Sequence, residues 1–337
     1  MPFWINTAVA LIAFGISAVT GIFLIPLLKK IHFGQTIYEK GPAWHKSKQG
    51  TPIMGGFMFI IGSAAAIAVG YAVYRFRTAD AAVFPDNTGL YRLLAGYVFA
   101  LLNAGIGFTD DYIKAVKKQN LGLKPKQKMV MQFIFSAAFL YVLYLLGDRS
   151  TSIEFPFFGD VDFKFLYYPI MVLYLIFLTN AVNLTDGIDG LCGSVTVISG
   201  LSFVMLCASM GMWEYSIFAM ALAGGCLGFL VWNLHPAKVF MGDTGSMFLG
   251  GAICAIGFAT HKHLLLALIA IVYVVDALSV VIQVIYFKMT KGKRLFKMSP
   301  IHHHFELCGF SEYKIVITFS LAALIAGIAA NLIYNIF

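Results

Sequence analysis

The chain has 337 residues, of which 60% are hydrophobic and only 12% are charged, and its formal net charge is +8. Soluble domains are about half apolar and about a quarter charged. This composition excludes an ordinary soluble globular protein, because such a fold has nowhere to bury so much apolar surface.

The apolar residues fall in runs of roughly 18 to 25, enough to cross a hydrocarbon core of about 30 Å at about 1.5 Å per residue. The runs predict an all-α, polytopic membrane protein with about ten transmembrane helices. One integral membrane domain, residues 1–337, accounts for the whole chain. In chain order the predicted helices are Phe3–Leu28, Pro52–Tyr74, Tyr91–Phe108, Gln127–Leu146, Leu166–Val182, Gly190–Met210, Trp213–Trp232, Met247–Thr260, His263–Phe287 and Tyr313–Ile336.

A short segment between the fourth and fifth predicted helices has a different pattern. Thr151–Phe165 alternates apolar and polar residues around Gly159 and Asp160. Such alternation is typical of a β-hairpin. We therefore predict a small hairpin over the outer mouth of the helical domain.

Lysine and arginine are distributed unevenly over the loops. Of the 24 such residues, 18 lie in or beside the alternate loops that begin after the first predicted helix, and 6 lie on the other side. The positive-inside rule then predicts that both termini are outside. Most of the net charge is explained by this topology, and the remainder suits anionic membrane lipids and phosphates rather than a nucleic acid.

The acidic residues on the predicted cytoplasmic side are concentrated in three motifs. Asp110 and Asp111 end the third helix in GFTDDYIKAVKK, Asp186 and Asp189 lie in NLTDGIDGL, and Asp243 lies in VFMGDTGS. Adjacent carboxylates repel each other, and a hard cation relieves that repulsion. Oxygen ligands without a Cys/His cluster favour Mg²⁺ or Mn²⁺ over zinc. Taken alone, the first motif also fits a membrane-exit loop and the last an N-cap.

Neighbouring residues suit a phosphate-bearing ligand. Lys114 follows the first acidic pair at helical spacing and is placed to hold phosphates. The glycine-rich stretch from Gly242 to Ser246 opens a helix, where backbone N–H groups favour an anion. Phe240 offers an aromatic face to a base.

Two further features lie near the C-terminal end. His302, His303 and His304 are consecutive, and side chains on a helix diverge by about 100° per residue, so the three cannot all chelate one ion unless the backbone is unwound. We interpret them as hydrogen-bond or proton donors near phosphates, with a solvated cationic loop as the alternative. Asp276 lies inside the ninth apolar run, seven residues before Gln283, which we place near a pocket. An intramembrane acid indicates function, but the sequence does not name its partner.

DDYIK, NLTDGIDGL, FMGDTGS and PIHHHFE together resemble the signatures of the phospho-N-acetylmuramoyl-pentapeptide transferases. These form a branch of the polyprenyl-phosphate N-acetylhexosamine 1-phosphate transferase superfamily. The resemblance extends over essentially the whole chain, and four motifs in the right order are specific. The HHHFE string favours the muramoyl-pentapeptide branch over relatives that use N-acetylglucosamine.

The resemblance implies a Mg²⁺-dependent transfer from UDP-N-acetylmuramoyl-pentapeptide to undecaprenyl phosphate, giving lipid I and UMP. It implies a homodimer in the bacterial inner membrane, with the active site on the cytoplasmic face and affinity for uridine-containing nucleoside inhibitors. The implied catalytic residues are Asp110, Asp111, Asp243 and His302, with Asp243 as the metal ligand. The implied substrate-binding residues are Lys48, Lys114, Asn183, Asp186, Asp189, Asn233, Phe240, Gly242, Ser246, Gln283, His303 and His304.

Two chemical routes fit the motifs. Either the lipid phosphate attacks directly, or a carboxylate of the Asp110 and Asp111 pair first forms a covalent acyl-phosphate. We favour direct attack, because a phosphate monoester with a second pKa of about 6 is already largely dianionic near neutral pH.

Other classes of protein fit less well. A secondary transporter has related halves and a site at the bilayer middle. A non-catalytic lipid-binding scaffold has no need of five acids beside glycine-rich turns. The relative that uses UDP-N-acetylglucosamine is the nearest alternative.

Overall fold

The computed structural model describes residues 3–31, 50–78, 87–117, 121–156 and 158–336; Lys48 of the predicted site lies outside them. Within these ranges the chain forms twelve α-helices and a two-stranded sheet. The helices are α1 Phe3–Lys30, α2 Phe57–Thr78, α3 Thr88–Lys117, α4 Pro125–Leu145, α5 Tyr167–Thr185, α6 Leu191–Ser209, α7 Trp213–Asn233, α8 Gly242–Ala259, α9 His263–Ile269, α10 Ile271–Met289, α11 Ile301–Leu307 and α12 Glu312–Ile336.

Nine of the helices in the described ranges are long and apolar enough to cross a membrane: α1 to α7, α10 and α12. The protein is therefore a mostly helical, multi-pass membrane protein, as the sequence predicts. The predicted number of about ten differs from nine at the eighth and ninth segments. The predicted ninth helix is divided at Ala270 into the short α9 and the spanning α10.

The predicted eighth helix corresponds to α8, which has 18 residues and is not among the nine. Its polar first turn and its glycines lower its hydropathy. Every residue from Thr244 to Ala259 is buried, so protein rather than lipid surrounds this helix. It packs against α3 and α5 and forms the centre of the domain.

The predicted hairpin is confirmed, with β1 Ser152–Phe155 antiparallel to β2 Gly159–Asp162. It contacts the start of α9 through an ion pair between Glu154 and Lys262. The Lys262 ammonium also lies 5.5 Å from the ring centre of Tyr334, near the end of α12. The hairpin, the start of α9 and the end of α12 therefore share one end of the domain.

The opposite end of the domain collects the ends of α3 and α5 and the starts of α4, α8 and α12. Small residues permit this convergence by letting helix backbones approach closely. A Cβ on Gly107 would overlap the backbone carbonyl of Asp243, and one on Gly56 would overlap the backbone of Gly245. The end of α3 is therefore held against the start of α8.

Candidate functional site

Two of the three acidic motifs meet where α3 ends and α8 begins. Asp110, Asp111 and Asp243 each offer a carboxylate oxygen, and these oxygens all lie within 4.8 Å of one another. Asp110 and Asp111 are buried, and the side chain of Asp243 is 20% exposed. The sequence predicts that all five acids of the three motifs converge; the structure brings these three together, and Asp189 lies in a separate group with His235 and Glu312.

Asp111 stabilises the start of α8. Its carboxylate accepts hydrogen bonds from the backbone N–H of Asp243 at 3.2 Å, the backbone N–H of Thr244 at 2.9 Å and the Thr244 hydroxyl at 2.7 Å. The residue before α8, Met241, has no capping side chain. A carboxylate favours the positive end of a helix dipole, so Asp111 serves as the cap from another helix.

Asp110 is fixed by three donors. It accepts a hydrogen bond from the backbone N–H of Leu123 at 2.7 Å and forms ion pairs with Lys114 at 2.5 Å and Lys128 at 3.0 Å. A Cβ on Gly122 would overlap the same carboxylate. The segment that leads into α4 is therefore packed directly on Asp110.

Asp243 is surrounded by cationic and amide donors. Its carboxylate contacts the ammonium groups of Lys128 at 2.7 Å and Lys114 at 3.3 Å, and it accepts a hydrogen bond from Asn183 at 3.1 Å. Asn183 also donates to the hydroxyl of Ser246 at 2.8 Å. The two lysines therefore compensate the negative charge of Asp243.

Lys128 is a site residue that sequence reasoning missed. It is in the first turn of α4, among other lysines in KPKQK, and the sequence alone does not distinguish it from its neighbours. The fold does distinguish it, because Lys128 is partly buried between Asp110 and Asp243 while Lys126 is exposed.

The three carboxylates form a group that is able to hold a metal ion. Their donor set is oxygen only, which suits a hard cation such as Mg²⁺. Each of the three carboxylates has three protein donors; those of Asp111 fix the start of α8, whereas Asp110 and Asp243 share the ammonium groups of Lys114 and Lys128. Lys114 and Lys128 neutralise part of the same charge.

The NLTDGIDGL turn lies between α5 and α6. Asp189 accepts hydrogen bonds from the His235 imidazole and the Ala237 backbone N–H, both at 3.0 Å, while its own N–H donates to Glu312 at 3.1 Å. The side-chain oxygen of Asn233 accepts a hydrogen bond from the backbone N–H of Gly190, the residue after Asp189, at 3.0 Å. Asp189 and Asn233 therefore connect the turn to α7 and α12, and Asp186 lies half-buried at the end of α5.

His235 and Glu312 were not expected from the sequence. Both contact Asp189, and the three side chains form a second His/carboxylate group in the described residues. His235 lies four residues before the VFMGDTGS motif but was given no role there, and Glu312 is 123 positions from its partner. Only the tertiary fold brings them together.

The three consecutive histidines have three different partners. His302 contacts Asp276, His303 contacts Glu306, and His304 accepts a hydrogen bond from the backbone N–H of Lys297 at 3.1 Å. The three rings therefore have no shared partner among the described residues. They lie on the short helix α11.

Gln283 and Phe240 hold loops in place. The Gln283 side-chain oxygen accepts hydrogen bonds from the backbone N–H groups of Leu295 and Phe296 at 3.1 and 2.9 Å. The backbone of Phe240 pairs with that of Pro52 and Gly55, and its ring is half-buried. Gly242, with φ of 72°, lets the chain turn into α8 against Asp111.

Comparison with known proteins identifies the class to which this arrangement belongs. The family model described as glycosyl transferase family 4 matches residues 93–261, a range that contains all three acidic motifs. The protein is thus a membrane-embedded member of that class. The match ends before the histidine motif.

More specific relatives extend over nearly the full length. A phospho-N-acetylmuramoyl-pentapeptide-transferase of Shouchella clausii is 43% identical over 330 residues, 97% of each chain. Proteins with the same description from Heliobacterium modesticaldum and Clostridium botulinum are 44% identical, over 94% of this chain and 94% and 92% of theirs. The chain belongs to the phospho-N-acetylmuramoyl-pentapeptide-transferase family.

Proposed function

We propose that the chain transfers phospho-N-acetylmuramoyl-pentapeptide from its UDP derivative to undecaprenyl phosphate, giving lipid I and UMP. This is the first membrane step of peptidoglycan synthesis. The observation that carries the proposal is the convergence of Asp110, Asp111 and Asp243 with two lysines at the ends of spanning helices. Transfer between two phosphate-bearing substrates requires such cationic and metal-binding groups.

We place this site at the cytoplasmic face of the bacterial inner membrane, with both termini outside. The asymmetry of 18 basic residues against 6 supports that orientation. The start of α1 and the end of α12 lie at the end of the domain away from the acids: Asn6 donates to Ser216 at the start of α7, and Lys262 beside the hairpin contacts Tyr334. In this arrangement α8 also crosses the membrane, inside the protein.

The reaction exchanges one P–O bond for another. An oxygen of the lipid phosphate attacks the phosphorus that carries the sugar, and the bond from that phosphorus to UMP breaks, with UMP keeping the electron pair. Lys114 and Lys128 neutralise the charge that the two phosphates bring together. Mg²⁺, held by Asp243 with Asp110, would supply further neutralisation and orientation of the phosphate oxygens.

Direct attack is favoured over a covalent intermediate on Asp110. Its carboxylate already accepts one backbone N–H and pairs with two lysines, which lowers its nucleophilicity. Accumulation of a phospho-enzyme in a single turnover without the lipid acceptor would contradict direct attack. Asp111, which caps α8, aligns Asp243 for the reaction.

The nucleotide occupies the adjacent surface formed by the NLTDGIDGL turn and the start of α8. Its uridine is proposed to lie near Asn183, Asp186, Asp189 and Phe240, and the histidines of α11 to lie on its diphosphate and sugar side. The homodimer and the binding of uridine-containing inhibitors stay predictions from the resemblance.

The function is tested by UMP release from the purified protein in detergent. UDP-N-acetylmuramoyl-pentapeptide, undecaprenyl phosphate and Mg²⁺ are expected to give UMP and lipid I, and EDTA is expected to stop both. UDP-N-acetylglucosamine serves as the competing donor. Release of UMP from that donor alone would assign the chain to the neighbouring branch, and transport without UMP release would contradict the enzyme.

Lys128→Met is expected to lower turnover about 10- to 100-fold, the effect of losing one or two charge-assisted hydrogen bonds. Methionine keeps the length of the side chain but removes the ammonium between Asp110 and Asp243. The matched control is Lys126→Met, two positions away on the exposed side of α4. Initial rates of UMP release measure both. Equal rates of UMP release in the two variants would show that Lys128 has no role in the reaction.

Phe240→Ala is expected to raise the KM for the nucleotide sugar about 10- to 100-fold, because stacking of a base on an aromatic ring contributes about 1–3 kcal/mol. The KM for undecaprenyl phosphate stays unchanged. Phe240→Tyr keeps the aromatic face and is the control. A uridine-containing inhibitor that binds wild type and the alanine variant equally well would contradict stacking at this position.

A further inference from the structure

The acid inside the membrane-spanning α10 has a partner that the sequence does not reveal. Asp276 is completely buried, and so is His302, 26 positions later on α11. One carboxylate oxygen lies 3.0 Å from Nδ1 of His302, and the other lies 3.4 Å from the backbone nitrogen of the same residue. Both oxygens of Asp276 therefore face a single histidine.

This contact distinguishes the two nitrogen atoms of the imidazole. An ionised carboxylate only accepts hydrogen bonds, so Asp276 holds a proton on Nδ1 of His302. In the neutral ring, Nε2 then carries the lone pair. Which nitrogen bears the proton is set in this way by the hydrogen bond that the other one makes.

Nε2 of His302 is buried and has no hydrogen-bond partner among the residues that the structure describes. It points at Gly187, between Asp186 and Asp189 in the turn, and a Cβ at that glycine would overlap it. An unsatisfied buried polar atom in a native fold is unusual and calls for an explanation. Glycine at this position leaves Nε2 directly under the backbone of the turn.

The other two histidines do not share this geometry. The His303 ring contacts Glu306 at 2.5 Å, and Nδ1 of His304 accepts the N–H of Lys297. These contacts hold α11 in place around His302. Among the three, His302 alone combines complete burial, a carboxylate on one nitrogen and an unpartnered second nitrogen.

We propose that Asp276 is a positioning residue that keeps the proton of His302 on Nδ1 and presents Nε2, as a hydrogen-bond acceptor, to the nucleotide sugar at the Gly187 turn. The inference rests on the proposed function. The complementary group on the substrate is an O–H or N–H donor of the nucleotide sugar, since a phosphate oxygen has no proton to donate to Nε2. This refines the sequence expectation, in which the histidines donate to phosphates.

The position of the proton can be measured without activity. Nitrogen-15 NMR of histidine-labelled full-length protein, with His302 assigned by its loss in His302→Asn, is expected to show the Nδ1–H tautomer. In Asp276→Asn the amide oxygen must face the backbone N–H of His302, so its NH₂ group faces Nδ1 and moves the ring proton to Nε2. An unchanged His302 tautomer in that variant would overturn the proposal.

Kinetic measurements distinguish a role of Asp276 in positioning His302 from a role in packing alone. Asp276→Asn and His302→Asn are each expected to lower kcat/KM for the nucleotide sugar about 10- to 100-fold, with a melting temperature close to wild type. Asparagine at position 302 can still donate to Asp276 but lacks Nε2. The double variant should be no worse than His302→Asn, because both changes remove the same interaction. Full additivity would overturn the proposal.

Two further variants complete the test. Ser279→Ala removes the hydroxyl that donates to the backbone carbonyl of Asp276 and should leave kcat/KM within about threefold of wild type. Asp276→Glu keeps the carboxylate and should restore the Nδ1–H tautomer and part of the lost rate. An inactive wild-type protein would count against the proposed function, whereas the NMR result judges the role of Asp276 by itself.

Discussion

Asp243→Asn is expected to lower turnover roughly a thousandfold and to abolish the dependence of the remaining rate on Mg²⁺. Asparagine has nearly the same shape and keeps one acceptor oxygen, which can take the hydrogen bond from Lys128 or from Asn183 but not both, because these donate to different oxygens of Asp243. The fold should therefore persist while the charge that holds the metal is lost. The measurements are UMP release as a function of Mg²⁺ concentration and thermal unfolding in detergent.

The control for Asp243 is the same change at Asp160. That residue is exposed in β2, at the other end of the domain from the acidic site, and Asp160→Asn should behave as wild type. A tenth or more of wild-type turnover in Asp243→Asn would count against its role as metal ligand. Loss of activity accompanied by loss of the thermal transition would instead indicate a structural role.

The sequence predicts much of this site because its acids lie in local motifs at helix ends. Asp110, Asp111 and Asp243 could be placed on one side of the membrane from hydropathy and loop charge alone. Their mutual distances could not, because they depend on how α3 approaches α8. Close approach at Gly107 leaves no local pattern beyond a glycine in an apolar helix.

Side-chain contacts between residues that are far apart in the sequence could not be predicted. Lys128 looks like its neighbouring lysines until α4 is packed on Asp110, and Glu312 reaches Asp189 only because α12 returns to the turn. Asp276 could be singled out as an intramembrane acid, yet its contact with His302 depends on the break after α10 and the position of α11. Such long-range pairs follow from topology, which single-sequence periodicity does not encode.

The eighth helix shows a limit of hydropathy as a predictor of membrane-spanning helices. Hydropathy measures suitability for lipid, whereas α8 is surrounded by α3, α5 and other helices. A helix enclosed by protein can carry a polar first turn and several glycines without exposing backbone to lipid. The same enclosure allows Asp243 to be rigidly held, because the cap provided by Asp111 fixes the start of the helix.

Gly107→Ala tests whether the α3–α8 contact positions the site. The added Cβ would overlap the backbone carbonyl of Asp243 and the N–H of Thr244, and neither can move aside as a flexible side chain would. Overpacking of this kind costs about 1–3 kcal/mol, and a displacement of about 1 Å at reacting groups lowers rates about 100-fold. We expect a lower melting temperature and a turnover reduced by about that factor.

The matched control lies on the same helix. Gly105 is exposed, and no atom of the described part of the chain lies within 4 Å of an added Cβ. Gly105→Ala therefore gains only helix propensity, about 1 kcal/mol, and should keep full activity. Turnover and thermal unfolding of the two alanine variants are compared side by side. If both behave alike, the close contact at Gly107 does not set the separation between Asp243 and the Asp110 and Asp111 pair. If only Gly107→Ala fails, the distance between two helix backbones determines whether the carboxylates can share one cation.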